Sequence, residues 1–175
     1  FYVMQLEHGN FQRPGGVAVD GNGNVFVLDS GSDRIVEFDH AGEYTREFGS
    51  AGSEDGQLND PDGIAVAAND DVWIADTGNN RIEEFGADGE YLSSFAAPEH
   101  PEGIAVGGHG SVWVSAGGHG GLRQFGEDGE FVRDVGASGE GELRQPEGLA
   151  VDANGDVWVS DWSRSRVEEF NEAGE

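Results

Sequence analysis

The chain has 175 residues, no cysteine and 36% hydrophobic content, which suits one β-rich domain of ordinary core size and excludes disulfides and thiolate metal ligands. It carries 35 acidic residues against nine basic ones, all nine arginine, for a formal net charge of -26. That sign repels phosphate backbones and argues against nucleic-acid binding, and no apolar run approaches the roughly 20 residues of a membrane helix, so membrane insertion is not expected.

In chain order, residues 1–6 read FYVMQL, a short strand-like segment with Tyr2 and Leu6 spaced i, i+4. A first repeat then opens on Pro14 with PGGVAVD, passes a Gly21-Asn22-Gly23 turn into VFVLD (Val25 to Asp29), continues as RIVEF up to Phe38, and ends in Tyr44 and Phe48. The same order recurs from Pro61 (PDGIAVA, VWIAD, RIEEF, Tyr91 and Phe95), from Pro101 (PEGIAVG, VWVSA, GLRQF, Phe131 and Val135) and from Pro146 (PEGLAVD, VWVSD, RVEEF). The four prolines lie 47, 40 and 45 residues apart. A period in this range, built only of short β-like segments with turn residues between, predicts an all-β propeller with one four-stranded antiparallel blade per repeat. The blades fall at about 14–48, 61–95, 101–135 and 146–175 of a single domain, 1–175.

The fourth repeat stops at Glu175 without its outer strand, and the missing piece is expected at the other terminus. Residues 1–6 paired beside the strand ending at Phe170 would complete the last blade and leave no free edge to aggregate. Because such a strand forms the same hydrogen bonds with its own chain or with a neighbour, self-association by strand exchange is a natural partner mode. The chain begins at Phe1 rather than at a methionine, which reads as a processed chain or a piece of one.

The first two strands of each repeat are apolar at consecutive positions, so both faces must be covered, as when blade packs on blade. Phe26, Trp73, Trp113 and Trp158 on the second strand, with Phe38, Phe85, Phe125 and Phe170 on the third, are accordingly assigned to blade packing. Asp29 and Arg34, Asp76 and Arg81, and Asp161 and Arg166 stand five residues apart across a hairpin, where a carboxylate meets a guanidinium. In the third repeat the two positions are Ala116 and Gly121, so both charges are lost together, as expected of partners.

The Pro-x-Gly-Ile-Ala-Val opening, the aromatic second strand ending in Asp, and the Asp-x-x-Asn-Asn-Arg-Ile step at Asp76 to Ile82 resemble the NHL repeat family over nearly the whole chain. The resemblance implies a β-propeller, usually of six blades, used for protein or RNA binding or extracellular sensing, with lyase and lactone-hydrolase chemistry in related propellers. Four repeats against six leave open a full ring, two chains pooling blades, or part of a longer protein. An extracellular or cell-surface place is implied ahead of a cytoplasmic one.

In an up-and-down blade His8, His100 and His119 share one end of the disc, and His40 and His109 the other. On the first end, the residue after each proline is Gly15, Asp62, Glu102 or Glu147, so Asp62, Glu102 and Glu147 around the axis could hold Ca²⁺ or another hard cation, or be plain acidic decoration. The third repeat's Gly-rich hairpin around His119, on the end that carries His100 and Glu102, could host a general base or metal site, or be a degenerate repeat. No nucleophile elbow, zinc-protease helix or phosphate-cradling loop is present. Two function classes follow: a non-enzymatic scaffold binding a protein partner or itself, with no certain cofactor, or a metal-assisted lyase or lactone hydrolase on the His100/His119 face. The charge of -26 without lysine points to a salt-loving source, since the Debye length falls to about 3 Å in molar salt and relieves self-repulsion.

Overall fold

The computed structural model describes residues 5–6, 10–97, 100–116, 119–139, 141–171 and 173–175. Within them the β-branched and aromatic runs form four antiparallel sheets in chain order, each a meander whose sequence neighbours are sheet neighbours. The first holds β1 (Pro14–Val19), β2 (Val25–Asp29), β3 (Arg34–Phe38) and β4 (Tyr44–Phe48). The second holds β5 (Gly63–Val66), β6 (Val72–Asp76), β7 (Arg81–Phe85) and β8 (Tyr91–Ala96). The third holds β9 (Pro101–Val106), β10 (Val112–Ala116), β11 (His119–Phe125) and β12 (Phe131–Val135), and the fourth β13 (Pro146–Val151), β14 (Val157–Asp161) and β15 (Arg166–Phe170). Among the described residues helix is limited to single 3-10 turns at Thr77–Asn79 and Trp162–Arg164. This is the expected β-propeller of antiparallel blades, four to the chain.

Register repeats with the sequence: Val25 pairs with Phe38, Val72 with Phe85, Val112 with Phe125 and Val157 with Phe170. The pleat then sends alternate side chains to opposite neighbours. In β6, Val72 and Ile74 join Phe26, Leu28 and Ile35 of the first blade, whereas Trp73 and Ala75 join Ile104, Val112 and Val114 of the third. Trp113 and Leu122 likewise meet Val157 and Val159 of the fourth. The core therefore lies between blades. Each large side chain removed from water there contributes roughly 1.5–3 kcal/mol. Outer-strand rings reinforce the stacking, with Phe48 on Phe85 at 5.3 Å and Phe95 on Phe125 at 4.9 Å between centroids. Gly129, at φ 78°, turns β11 into β12 so close to Phe95 that a Cβ would lie 2.6 Å from its ring.

The innermost strands sit side by side, β1 against β5, β5 against β9 and β9 against β13, while β13 and β1 share no comparable contact among the described residues. Three glycines make this approach possible, since a Cβ on Gly16 would lie 2.7 Å from Ile64 Cγ2, one on Gly63 2.2 Å from the Glu102 carbonyl oxygen, and one on Gly103 1.9 Å from that of Glu147. Gly148, the fourth of the series, meets only its own blade's Ser160.

The expected pairing of residues 1–6 with the strand ending at Phe170 falls largely on residues 1–4, which lie outside those described. Leu6 packs with Phe11 against Val27, Val36 and Phe38 on the outward face of the first blade. The fourth sheet has three strands among the described residues.

The hairpin clamp holds in two of its three expected places. Arg34 Nε lies 3.3 Å from Asp29 Oδ2 and Arg81 Nε 2.8 Å from Asp76 Oδ2. In the fourth blade Asp161 and Arg166 are paired in register, yet Arg166 turns to Glu168 Oε1 at 2.5 Å and to the Glu142 carbonyl at 2.8 Å. What the three aspartates do share is a bond to the backbone that enters their own blade. Asp29 accepts the N–H groups of Gln12 and Arg13, Asp76 that of Asn59, and Asp161 those of Arg144 and Gln145, all within 2.8 to 3.2 Å.

Candidate functional site

The residues singled out around the axis gather at one end of the disc. Asp62 follows Pro61 just ahead of β5, Glu102 and Glu147 follow the prolines that start β9 and β13, and the three border a hollow of about 470 Å³ that also reaches Gly16 and Gly148. Their order follows from the stacking. Glu102 sits between the other two. Burial raises its carboxyl above the usual range, and the charges of Asp62 and Glu147 add to that while His100 opposes it. The carboxylates thus sense one another, but among the described residues no group of three His, Cys, Asp or Glu side chains has the spacing to hold a metal ion.

His100 lies at the same end, exposed, with φ 53° and its backbone N–H donated to Asn80 Oδ1 at 2.8 Å. Position 119 is brought near it, because Ala116 pairs with both His119 and Pro101. The side chain of His119 is outside the described set, as are His8 and Glu99. Among the described residues no helix is long and apolar enough to cross a membrane.

A second hollow was not anticipated. It opens at the opposite end between the second and third blades, with a volume of about 700 Å³, and His109 sits on its rim beside Trp73, Glu84, Ser93, Glu127 and Asp128. Ser93 donates its hydroxyl to Glu84 Oε2 at 2.7 Å across the β7–β8 pair. Burial raises the Glu84 carboxyl, the Ser93 bond opposes this, and Asp71 and Glu127 add to it. The facing of Glu84 and Ser93 was readable from register, but the gap beyond them depends on the neighbouring blade's turn.

A third opening, about 770 Å³, lies on the outward face of the fourth blade along Ser160, Trp162 and Val167. Trp158 on that face is 41% exposed, whereas its counterparts Trp73 and Trp113 are 2% and 1% exposed.

Comparison with known proteins agrees with this architecture. The NHL repeat family matches residues 11–38, 58–85 and 143–170, leaving out the third repeat with its altered hairpin. No curated protein sequence matches significantly. Among solved structures, a streptogramin B lyase superposes with TM-score 0.73 at 19% identity over 91% of this chain and 51% of its own, and virginiamycin B lyase from Staphylococcus aureus with 0.72 at 17% over 91% and 52%. A nidogen/laminin complex gives 0.73 at 20% over 96% and 63%. At these identities the likeness is one of fold, and the chain spans about half the length of the two lyases. With three of its four repeats matched by the NHL repeat family and its four sheets forming a propeller, the chain is an NHL-repeat β-propeller.

Proposed function

We propose that this chain is a non-enzymatic binding and self-assembly scaffold that acts through protein–protein contacts, from a salt-loving source. One observation carries the reading: the two end blades each present an apolar face of the kind that is covered everywhere else in the stack. On β1, Val17 is 63% exposed, where its counterparts Ile64 and Ile104 are 9% and 6%, and Val19 is 57% exposed, where Val66 and Val106 are half-buried. At the far end Val167 is 63% exposed, where Ile82 and Leu122 are 0% and 2%. Contiguous apolar surface of this kind marks an interaction site.

The groups on the two faces support a contact between copies. Ser115 Oγ donates to the Glu147 carbonyl of the next blade at 3.0 Å, and Ser160 occupies the same place beside the unoccupied approach of Gly148. The first blade of another copy, offering the Gly15 carbonyl and Val17, has the chemistry of such a next blade. Residues 1–6 of that copy would then stand beside β15 as its outer strand, which is association by strand exchange. The salt-loving source is inferred from the net charge of -26 without lysine.

Light scattering across protein concentration in molar KCl tests this. Concentration-dependent association that is lost in Trp158→Glu supports it, and a strict monomer with no protein partner overturns it. The second reading, a lyase or lactone hydrolase on the His100/His119 end, draws on the likeness to two lyases. Turnover that disappears in His119→Ala would replace the scaffold reading.

A further inference from the structure

In three blades the third and fourth strands face each other through the same register pair: Glu37 with Arg46, Glu84 with Ser93, and Gln124 with Arg133. In the first blade Arg46 Nε lies 2.5 Å from Glu37 Oε2, and a terminal nitrogen of the same guanidinium donates to the Ala87 carbonyl in the second blade's turn. In the third, Arg133 Nε lies 2.6 Å from Gln124 Oε1, and a terminal nitrogen donates to the Ala173 carbonyl in the fourth blade's turn. Each planar fork therefore spans a blade gap, joining a side-chain acceptor to a backbone carbonyl.

Between the second and third blades the acceptor Glu84 is retained, and the arginine is replaced by Ser93, too short to cross. The result is the 700 Å³ hollow, which reaches from Glu84 to Glu127 and Asp128 of the third blade's turn. Glu84 Oε1 has no hydrogen bond among the described residues, and Oε2 has only Ser93. The lining carboxylates of Asp71, Glu84, Glu127 and Asp128 set the sign of what fits.

The geometry points to a guanidinium-binding slot between the second and third blades, filled by an arginine side chain of a protein partner, with Glu84 as charged acceptor and the backbone carbonyls of Glu127 and Asp128 closing the fork. This rests on the protein-binding reading and gives its partner a chemistry. A fork is favoured over a point charge because two internal copies of the arrangement use one, and a guanidinium sheds water more readily than an ammonium.

Calorimetry with N-acetyl-arginine amide, N-acetyl-lysine amide and free L-arginine at constant high salt tests the slot. Saturable binding of the capped arginine with a Kd on the order of 1 mM is expected for a ligand of that size. The lysine compound should bind at least about tenfold more weakly. Free L-arginine carries a hydrated ammonium and carboxylate where a protein has amides, and desolvating that extra charge pair should make it bind more weakly than the capped form; the reverse order would overturn the protein source. Glu84→Ala should abolish binding. Ser93→Arg should also abolish it while raising Tm, because it installs the fork of the flanking blades. Equal binding of arginine and lysine compounds, or unchanged binding in either variant with its circular dichroism intact, overturns the slot. Binding of the capped arginine by a chain that forms no protein complex keeps the slot and removes the protein-binding reading.

Discussion

Asp161, ending β14, and Arg166, starting β15, stand opposite each other in register, yet the arginine turns to Glu168 and the Glu142 carbonyl and the aspartate holds the backbone of Arg144 and Gln145. The aspartate's primary duty is to tie down the chain that enters the blade; the ion pair is added in two blades and absent in the fourth. Asp76→Ala removes both duties at a site with no exposure and should cost about 3–5 kcal/mol, because Arg81 loses a buried partner as well. Asp161→Ala, which strips two backbone bonds and one from the Ser163 hydroxyl but breaks no ion pair, should cost about 1–3 kcal/mol. Urea denaturation of the two variants in molar salt checks the order.

Acid should act through the same residues. Burial tends to raise the carboxyls of Asp29 and Asp161, but the backbone N–H groups they accept overcome it and hold both below the usual range. A carboxyl depressed in the folded state adds stability above its unfolded value, and that stability is lost as pH falls through the folded one. Melting followed below about pH 4 in molar salt should show a loss that is shallower in Asp29→Asn.

Glu83 has the opposite sign. It is fully buried, Arg81 and the Gly56 N–H meet one oxygen at 2.8 and 3.3 Å, and Oε2 has no partner. Burial pushes its carboxyl up to about 7, Arg81 opposes this, and Asp76 adds to it. The native state then keeps a proton that the unfolded chain releases, so stability should fall as pH rises from about 4.5 to 7. Glu83→Gln should flatten that decline and leave the variant more stable by about 1 kcal/mol at pH 8. A parallel pH dependence in the two proteins would refute the assignment.

Salt should matter more than any single residue. With a net charge of -26, the melting temperature should climb steeply between low and molar KCl, and a flat profile would remove the self-repulsion argument.

The glycine series predicts a contrast. Gly103→Ala sets a methyl 1.9 Å from the Glu147 carbonyl oxygen and must push β9 from β13, costing on the order of 1–3 kcal/mol, whereas Gly148→Ala meets only the Ser160 hydroxyl at 3.3 Å and should leave the monomer's Tm unchanged. Association, if it uses the same approach, should weaken in Gly148→Ala alone.

The blades were legible because each is written locally: a proline, an apolar run, a turn and an aromatic at fixed offsets place Trp73, Trp113 and Trp158 on matching strands before any coordinate is known. Asp29, Asp76 and Asp161 were legible as special, but their partners at Gln12, Asn59 and Arg144 were not, since backbone N–H groups carry no sequence signature. The hollow beside Glu84 was hidden for a related reason. A serine at position 93 is unremarkable until Arg46 and Arg133 are seen spanning the gaps on either side.

A core divided among blade junctions also sets the order in which the molecule comes apart. Side chains such as Trp73 and Val114 are locked in the junction of the two central blades, while β1 and β15 belong to blades with one packed neighbour each among the described residues. In a stack whose stability is a sum over adjacent pairs, opening runs inward from the ends. Amide protons of β6 and β10 should therefore be the slowest to exchange with deuterium and those of β1 and β15 the fastest among the strands, a gradient of fraying written along the chain.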